Sequence, residues 1–100
     1  MTLYRSNPRD LEFVLFDLFD LDEILERHET ELDGETVRTM LREASALAEG
    51  PVAASFADAD RNPPTFDPAT HEVTMPPEYV TSVRAWQEGG WGLVGVDPSV

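Results

Sequence analysis

A chain of 100 residues makes one small domain at most, and this one combines 41% apolar residues with seven Arg, no Lys and twenty Asp and Glu, for a net charge of −13. It has enough apolar content to fold, while its charge repels phosphate backbones and anionic lipid heads and so argues against nucleic-acid and peripheral-membrane binding. The absence of Cys removes any disulfide framework or thiolate chemistry, and the short apolar runs argue against a membrane span or a secretory signal.

The first half reads as acidic and helical, with five Arg against thirteen acids in residues 1–50 and one of the eight prolines, Pro8. Asn7-Pro8-Arg9-Asp10 is written as a helix start: Asn7 can cap, proline suits the first helical position, and Asp10 lies where an acid favours the positive helix end. Leu11, Val14, Leu15 and Leu18 then recur at three- and four-residue spacing, and Phe13 with Phe16 widens the stripe. The pattern predicts a helix buried over well more than a third of its circumference. Asp20 with Glu23 has the spacing of a cap and its third helical residue, opening a short turn through Ile24 and Leu25. His28 to Glu31 reads as a polar loop.

Asp33 is the next cap. Val37, Met40, Leu41, Ala44, Leu47 and Ala48 follow it on one helical face, and Gly50-Pro51 stops the helix. Residues 52–60 are read as a further helix of two turns. Asn62-Pro63-Pro64 breaks any helix, because each proline lacks an amide hydrogen and restricts the residue before it. Thr65-Phe66 and Glu72-Val73-Thr74 suit short extended pieces around a turn at Asp67 to Thr70. Pro76-Pro77 opens a last helix with Tyr79, Val80, Val83 and Trp86 on one face, ended by Gly89-Gly90. An apolar, glycine-punctuated tail runs from Trp91 to Val100 and reads as interrupted.

The expected fold class is therefore mainly α, a short helical bundle with an irregular Pro-rich segment and a small hairpin. Residues 1–100 are expected to form a single helical domain, divided into a helical extension (1–32), a helical stretch (33–61), a Pro-rich loop or hairpin (62–77), and a helix with its apolar tail (78–100).

Spacing supplies no catalytic, cofactor-binding or metal-binding residue. His28 and His71 stand far apart in no ligand spacing and read as loop histidines. Asp17, Asp20, Asp22, Glu23 and Glu26 lack the alternating ligands, central glycine and closing glutamate of a calcium loop, so they read as a solvated helix face. Gly89, Gly90, Gly92 and Gly95 match neither phosphate-binding glycine pattern and read as a helix cap and tight turn. Trp86 and Trp91 read as core or interface anchors, and neither Ser45 nor Ser82 sits in a nucleophile elbow.

A resemblance takes the sequence further. Tyr4, then Pro8-Arg9-Asp10-Leu11-Glu12-Phe13-Val14-Leu15, a helix over 36–49, Asp58-Ala59-Asp60-Arg61, Val73-Thr74-Met75-Pro76 and Glu88-Gly89-Gly90-Trp91-Gly92-Leu93 follow one another as at the start of an acyl-CoA dehydrogenase. The chain is most similar to the subgroup with an N-terminal helical extension, which includes actinobacterial long-chain acyl-CoA dehydrogenases and the methylmercaptopropionyl-CoA dehydrogenases. In that family the Trp-Gly-Leu stretch leads to a glycine pair and a proline, where this chain has Asp97-Pro98-Ser99-Val100.

The resemblance implies the N-terminal domain or a fragment of an FAD-dependent enzyme that desaturates acyl-CoA thioesters, serving as scaffold and acyl-pocket wall. The implied partners are the remaining domains, in the same or a separate chain, and the acyl-CoA substrate. A cytoplasmic homo-oligomer is implied for the complete enzyme. The family's flavin-contacting segments and its catalytic glutamate fall beyond the matched stretch. No acid here, Glu88 included, corresponds to the base, and no FAD is expected on this chain alone. The stripe of Leu11, Phe13, Val14, Phe16 and Leu18 exceeds what a chain this short can readily cover, so an exposed apolar face is expected in isolation. The alternative is a stand-alone acidic helical module that docks an amphipathic face into a partner groove.

Overall fold

A computed structural model of the chain describes residues 4–99 and is 64% helical, with one small hairpin. It separates into two compact units, residues 5–48 and residues 49–99 with Tyr4. The division falls inside the stretch 33–61, where Gly50 leaves helical geometry (φ −96°, ψ −106°). The end of the apolar tail, Val100, lies outside the described residues.

Three polar caps organise the first unit. The Asp10 N–H donates to the Asn7 side chain at 3.3 Å and Pro8 takes the first turn of α1 (Pro8–Glu12). This helix passes directly into π-helical turns over Phe13–Leu18, where the Phe19 N–H reaches back five residues to the Val14 carbonyl at 3.1 Å. Asp20 adopts φ 50°, a left-handed conformation that aspartate tolerates. Its carboxylate accepts from the Glu23 N–H at 3.4 Å and opens α2 (Leu21–Arg27). Asp33 accepts from the Thr36 N–H at 2.8 Å and opens α3 (Gly34–Leu47).

Both α1 and α2 pack on α3. The expected α3 face is half-buried at Val37, Met40, Leu41, Ala44 and Leu47, and also at Ala48 just past the helix. Three contacts tie the unit together. The Arg38 guanidinium lies 3.7 Å above the Phe16 ring, and the Ser6 and Ser45 hydroxyls are hydrogen-bonded. Gly34 is buried where a Cβ would strike the Asp22 carboxylate and come within 3.1 Å of Phe16.

The breadth of burial expected for the first helix does not occur. Leu11, Phe13, Val14 and Leu18 are exposed, while Leu15 and Phe16 are half-buried. Among the described residues of this unit, α3 and α2 are the helices available to cover so wide a stripe, and two helices cannot cover all of it.

The helix stops at Gly50-Pro51 as expected, because Gly50 leaves helical geometry, and the helix expected over 52–60 forms in the second unit as α4 (Ala53–Arg61), with Pro51 just before its first turn. β1 (Thr65–Asp67) then pairs antiparallel with β2 (Glu72–Thr74) in the register Thr65↔Thr74, Phe66↔Val73, Asp67↔Glu72. The Ala69 N–H donates to the Asp67 carboxylate at 2.9 Å and closes the intervening turn. α5 (Pro77–Glu88) packs against α4.

The buried side chains of this helix pair are small and polar. Ser55 on α4 and Ser82 on α5 are buried, and each hydroxyl donates to a carbonyl three residues back, Ser55 to Val52 at 2.7 Å and Ser82 to Tyr79 at 2.8 Å. Small side chains allow the helices to approach, and the internal hydrogen bond offsets the cost of burying a hydroxyl.

The Thr36 backbone N–H, then its hydroxyl, hold the Asp33 carboxyl below its ordinary value of 3.8. A depressed folded-state value stabilises α3 at pH above the ordinary value, and that contribution is lost as pH falls through the depressed one. Asp33→Ala should therefore lower the thermal midpoint of the unit near neutral pH. The gap to the parent should narrow as pH falls below the ordinary carboxylate range, as followed by far-ultraviolet circular dichroism.

Candidate functional site

The second unit carries two features with shape: a cleft along α5 and the glycine-tryptophan turn that ends it. The cleft has a volume of about 220 Å³ and is lined by Met75, Tyr79, Val80, Val83, Arg84 and Gln87. Val80, Val83, Arg84 and Gln87 share one helical face because three- and four-residue steps return to the same side. Val80, Val83 and Met75 contribute apolar side chains to the lining, and Arg84, Gln87 and Tyr79 contribute side chains with polar groups. Such a groove can seat an apolar chain, but it holds no nucleophile beside a base and no carboxylate.

The expected face of Tyr79, Val80, Val83 and Trp86 is divided. Its first three residues line this cleft, while the Trp86 ring turns to the following loop. Arg84 and Gln87, which the apolar pattern alone does not single out, join Val80 and Val83 in the lining. Their helical spacing carries the signal that places them there.

The turn is built by reciprocal packing of two indoles on two glycines. A Cβ at Gly89 would lie 2.8 Å from the Trp91 ring, and one at Gly92 would lie 3.1 Å from the Trp86 ring. Gly90, between them, has φ +76°, which reverses the chain after α5 and starts the short 3-10 turn Trp91–Leu93. The Leu93 N–H donates to the Gly90 carbonyl at 3.0 Å. The glycines therefore form the helix cap and tight turn read from the sequence, and the tryptophans anchor that turn.

The other sequence candidates have structural roles or lie apart. His71 stacks on Phe66 in the hairpin, with ring centroids 6.4 Å apart and planes within 2°, and His28 terminates α2. Asp17, Asp20, Asp22, Glu23 and Glu26 are exposed, and Glu23 pairs with Arg27 at 2.6 Å. Among the described residues no group of three or more His, Asp and Glu side chains is placed to hold a metal ion. Ser45 is engaged by Ser6, and Ser82 by its own helix.

Comparison with known proteins supplies the context for this arrangement. No protein-family model matches the chain. Over its whole length it is 50% identical, across 101 aligned residues, to the N-terminal region of the broad-specificity linear acyl-CoA dehydrogenase FadE5 of Mycobacterium tuberculosis (strain ATCC 25618 / H37Rv). The chain spans 16% of the length of that relative. The resemblance read from the residues and the mainly α fold expected from it therefore agree with the match.

The turn yields a test that separates the glycine roles. Gly90→Ala should cost about 1 kcal/mol through its left-handed backbone. Gly89→Ala should instead displace the Trp91 ring and change the near-ultraviolet circular dichroism of the indoles. An unaltered indole spectrum in Gly89→Ala would contradict the packing described.

Proposed function

We propose that this chain acts as the N-terminal helical region of an FAD-dependent acyl-CoA dehydrogenase, an enzyme that introduces a double bond between the α and β carbons of an acyl-CoA thioester. The single observation that carries the reading is identity at half of the aligned positions along the entire chain, in a match spanning 101 residues. The name of the relative favours linear acyl-CoA thioesters as the substrate class. Within the enzyme these residues act as scaffold and as part of the wall around the acyl chain, and the chemistry belongs to other segments.

Flavin supplies hydride acceptance in this family when bound. The α5 cleft does not fit it: about 220 Å³ is below the roughly 300 Å³ at which small-molecule sites begin. Among the described residues Arg84 is the sole cation lining the cleft, leaving little to balance a pyrophosphate. No residue here is assigned a catalytic, cofactor-binding or metal-binding role in this reading.

The physical chemistry of the helices supports a scaffold role. Phe56, at 78% exposed, and Leu93, at 73%, are among many large apolar side chains that the described residues leave uncovered. Such surfaces are stabilised by the remaining domains of the enzyme, which we propose as the partners of this chain in a cytoplasmic homo-oligomer. Among the described residues no helix is long and apolar enough to cross a membrane.

The assignment is tested by a graft. The matching segment of the M. tuberculosis relative is replaced by these 100 residues, and acyl-CoA-dependent reduction of an artificial electron acceptor is measured. The graft should retain activity and the flavin absorption band, whereas deletion of the segment should abolish activity. A graft that folds and holds flavin but turns over no linear acyl-CoA would overturn the reading.

A further inference from the structure

The Phe16 ring has a seat on α3 formed by two residues one helical turn apart. Gly34, buried at the start of α3, leaves the space in which a Cβ would come within 3.1 Å of the ring. Arg38, half-buried four residues on, lays its guanidinium 3.7 Å above the same ring. Residues four apart share a helical face, so both reach Phe16 from one side of α3. The seat fixes the inward side of the segment before α2, where Glu12, Leu15 and Phe16 are half-buried.

In α-helical winding that inward side would not end at Phe16. Glu12, Leu15, Phe16 and Phe19 stand at offsets 0, 3, 4 and 7, one face of an α-helix, so Phe19 would be carried toward α3 with the others. It is instead 62% exposed. The π-helical turns over Phe13–Leu18 account for the difference. The Phe19 N–H bonds to the Val14 carbonyl, five residues back, so Phe19 stands over Val14 and, by the same step, Leu18 over Phe13. All four side chains of these five-residue pairs are exposed. The wider winding therefore moves one large apolar side chain from the inward side to the outward one. Such winding is uncommon and occurs often at functional sites, and it needs a contact that holds it against the ordinary α pitch.

We infer that Gly34 and Arg38 are positioning residues: by seating Phe16 they hold residues 13–18 in π-helical winding, and that winding turns Phe19 outward beside Val14. Without the seat the segment continues the α winding of α1 and draws Phe19 toward α3. The consequence for the enzyme rests on the assignment proposed above, in which the remaining domains cover this face and Phe19 becomes part of the surface they meet. The winding itself depends on no assignment.

Nuclear magnetic resonance on the isotope-labelled full chain tests it, through the coupling that passes across a hydrogen bond from an amide nitrogen to the accepting carbonyl carbon. The parent should show Phe19 coupled to Val14. Arg38→Ala and Phe16→Leu should each move that coupling to Leu15 and reduce the relaxation of the Phe19 ring by a soluble gadolinium chelate. Arg38→Lys, which keeps a cation over the ring, should retain the parent pattern. Circular dichroism follows helix content in each variant. A parent with Phe19 coupled to Leu15 would overturn the inference, as would coupling to Val14 kept in both Arg38→Ala and Phe16→Leu. Loss of helix content in both variants, with no coupling left at Phe19, would also overturn it, since the seat would then hold the fold rather than the winding. In the graft described above, Arg38→Ala should lower acyl-CoA-dependent activity severalfold and Arg38→Lys should restore it. An inactive unsubstituted graft counts against the enzymatic assignment alone, and the couplings still decide the winding. Full activity of the Arg38→Ala graft, with Phe19 coupled to Leu15, counts against the inference alone.

Discussion

Among the described residues, no apolar side chain is fully buried, although two-fifths of the sequence is apolar. The rest of the structure follows from that shortage of mutual cover. Small chains bury a smaller fraction of their surface than large ones, and here the helices are short as well. Local devices therefore carry much of the definition of each element: polar caps at Asn7, Asp20 and Asp33, serine hydroxyls turned onto their own backbone, and a cation resting on the Phe16 ring. Exposed ion pairs such as Glu23 with Arg27 and Glu35 with Arg42 add little, since salt and water screen them.

Features governed by near neighbours along the chain are legible in the residues themselves. A cap needs its acceptor three residues from a donor, and all three caps are readable from residue type and spacing. The α3 face is equally plain, because six apolar positions at helical spacing specify one side. Features governed by distant packing are not legible in this way. A broad apolar stripe from Leu11 to Leu18 fits α-helical and π-helical winding alike, so the change of pitch after Glu12 has no sequence signature. The spacing of the stripe alone suggests deep burial, and only its size against the length of the chain gives the exposed face that is observed. At Gly50-Pro51, by contrast, the two helix-ending residues are legible as the stop that is observed, and proline there also suits the start of the helix that follows.

The candidate site divides in the same way. Glycines and tryptophans near the end of the chain are recognisable as a cap and anchors, yet only three-dimensional packing reveals the crossed pairing of Trp91 with Gly89 and Trp86 with Gly92. In that arrangement each glycine makes room for a ring two or six residues away, so substitutions at one position disturb another. Arg84 and Gln87 are present in the helical spacing, but polar residues on an apolar face are easily read as solvent-facing. Their place beside Val80 and Val83 makes the α5 cleft amphipathic, suited to holding a chain in place and without groups to transform it.

Net charge acquires a more specific meaning once the exposed faces are known. A charge of −13 spread over a covered core would chiefly keep molecules apart. Here the acids stand between exposed Phe, Val and Leu side chains, so each potential apolar contact also presents a carboxylate. Apolar burial does not depend on direction, whereas the cost of an unpaired buried carboxylate is specific to the surface that meets it.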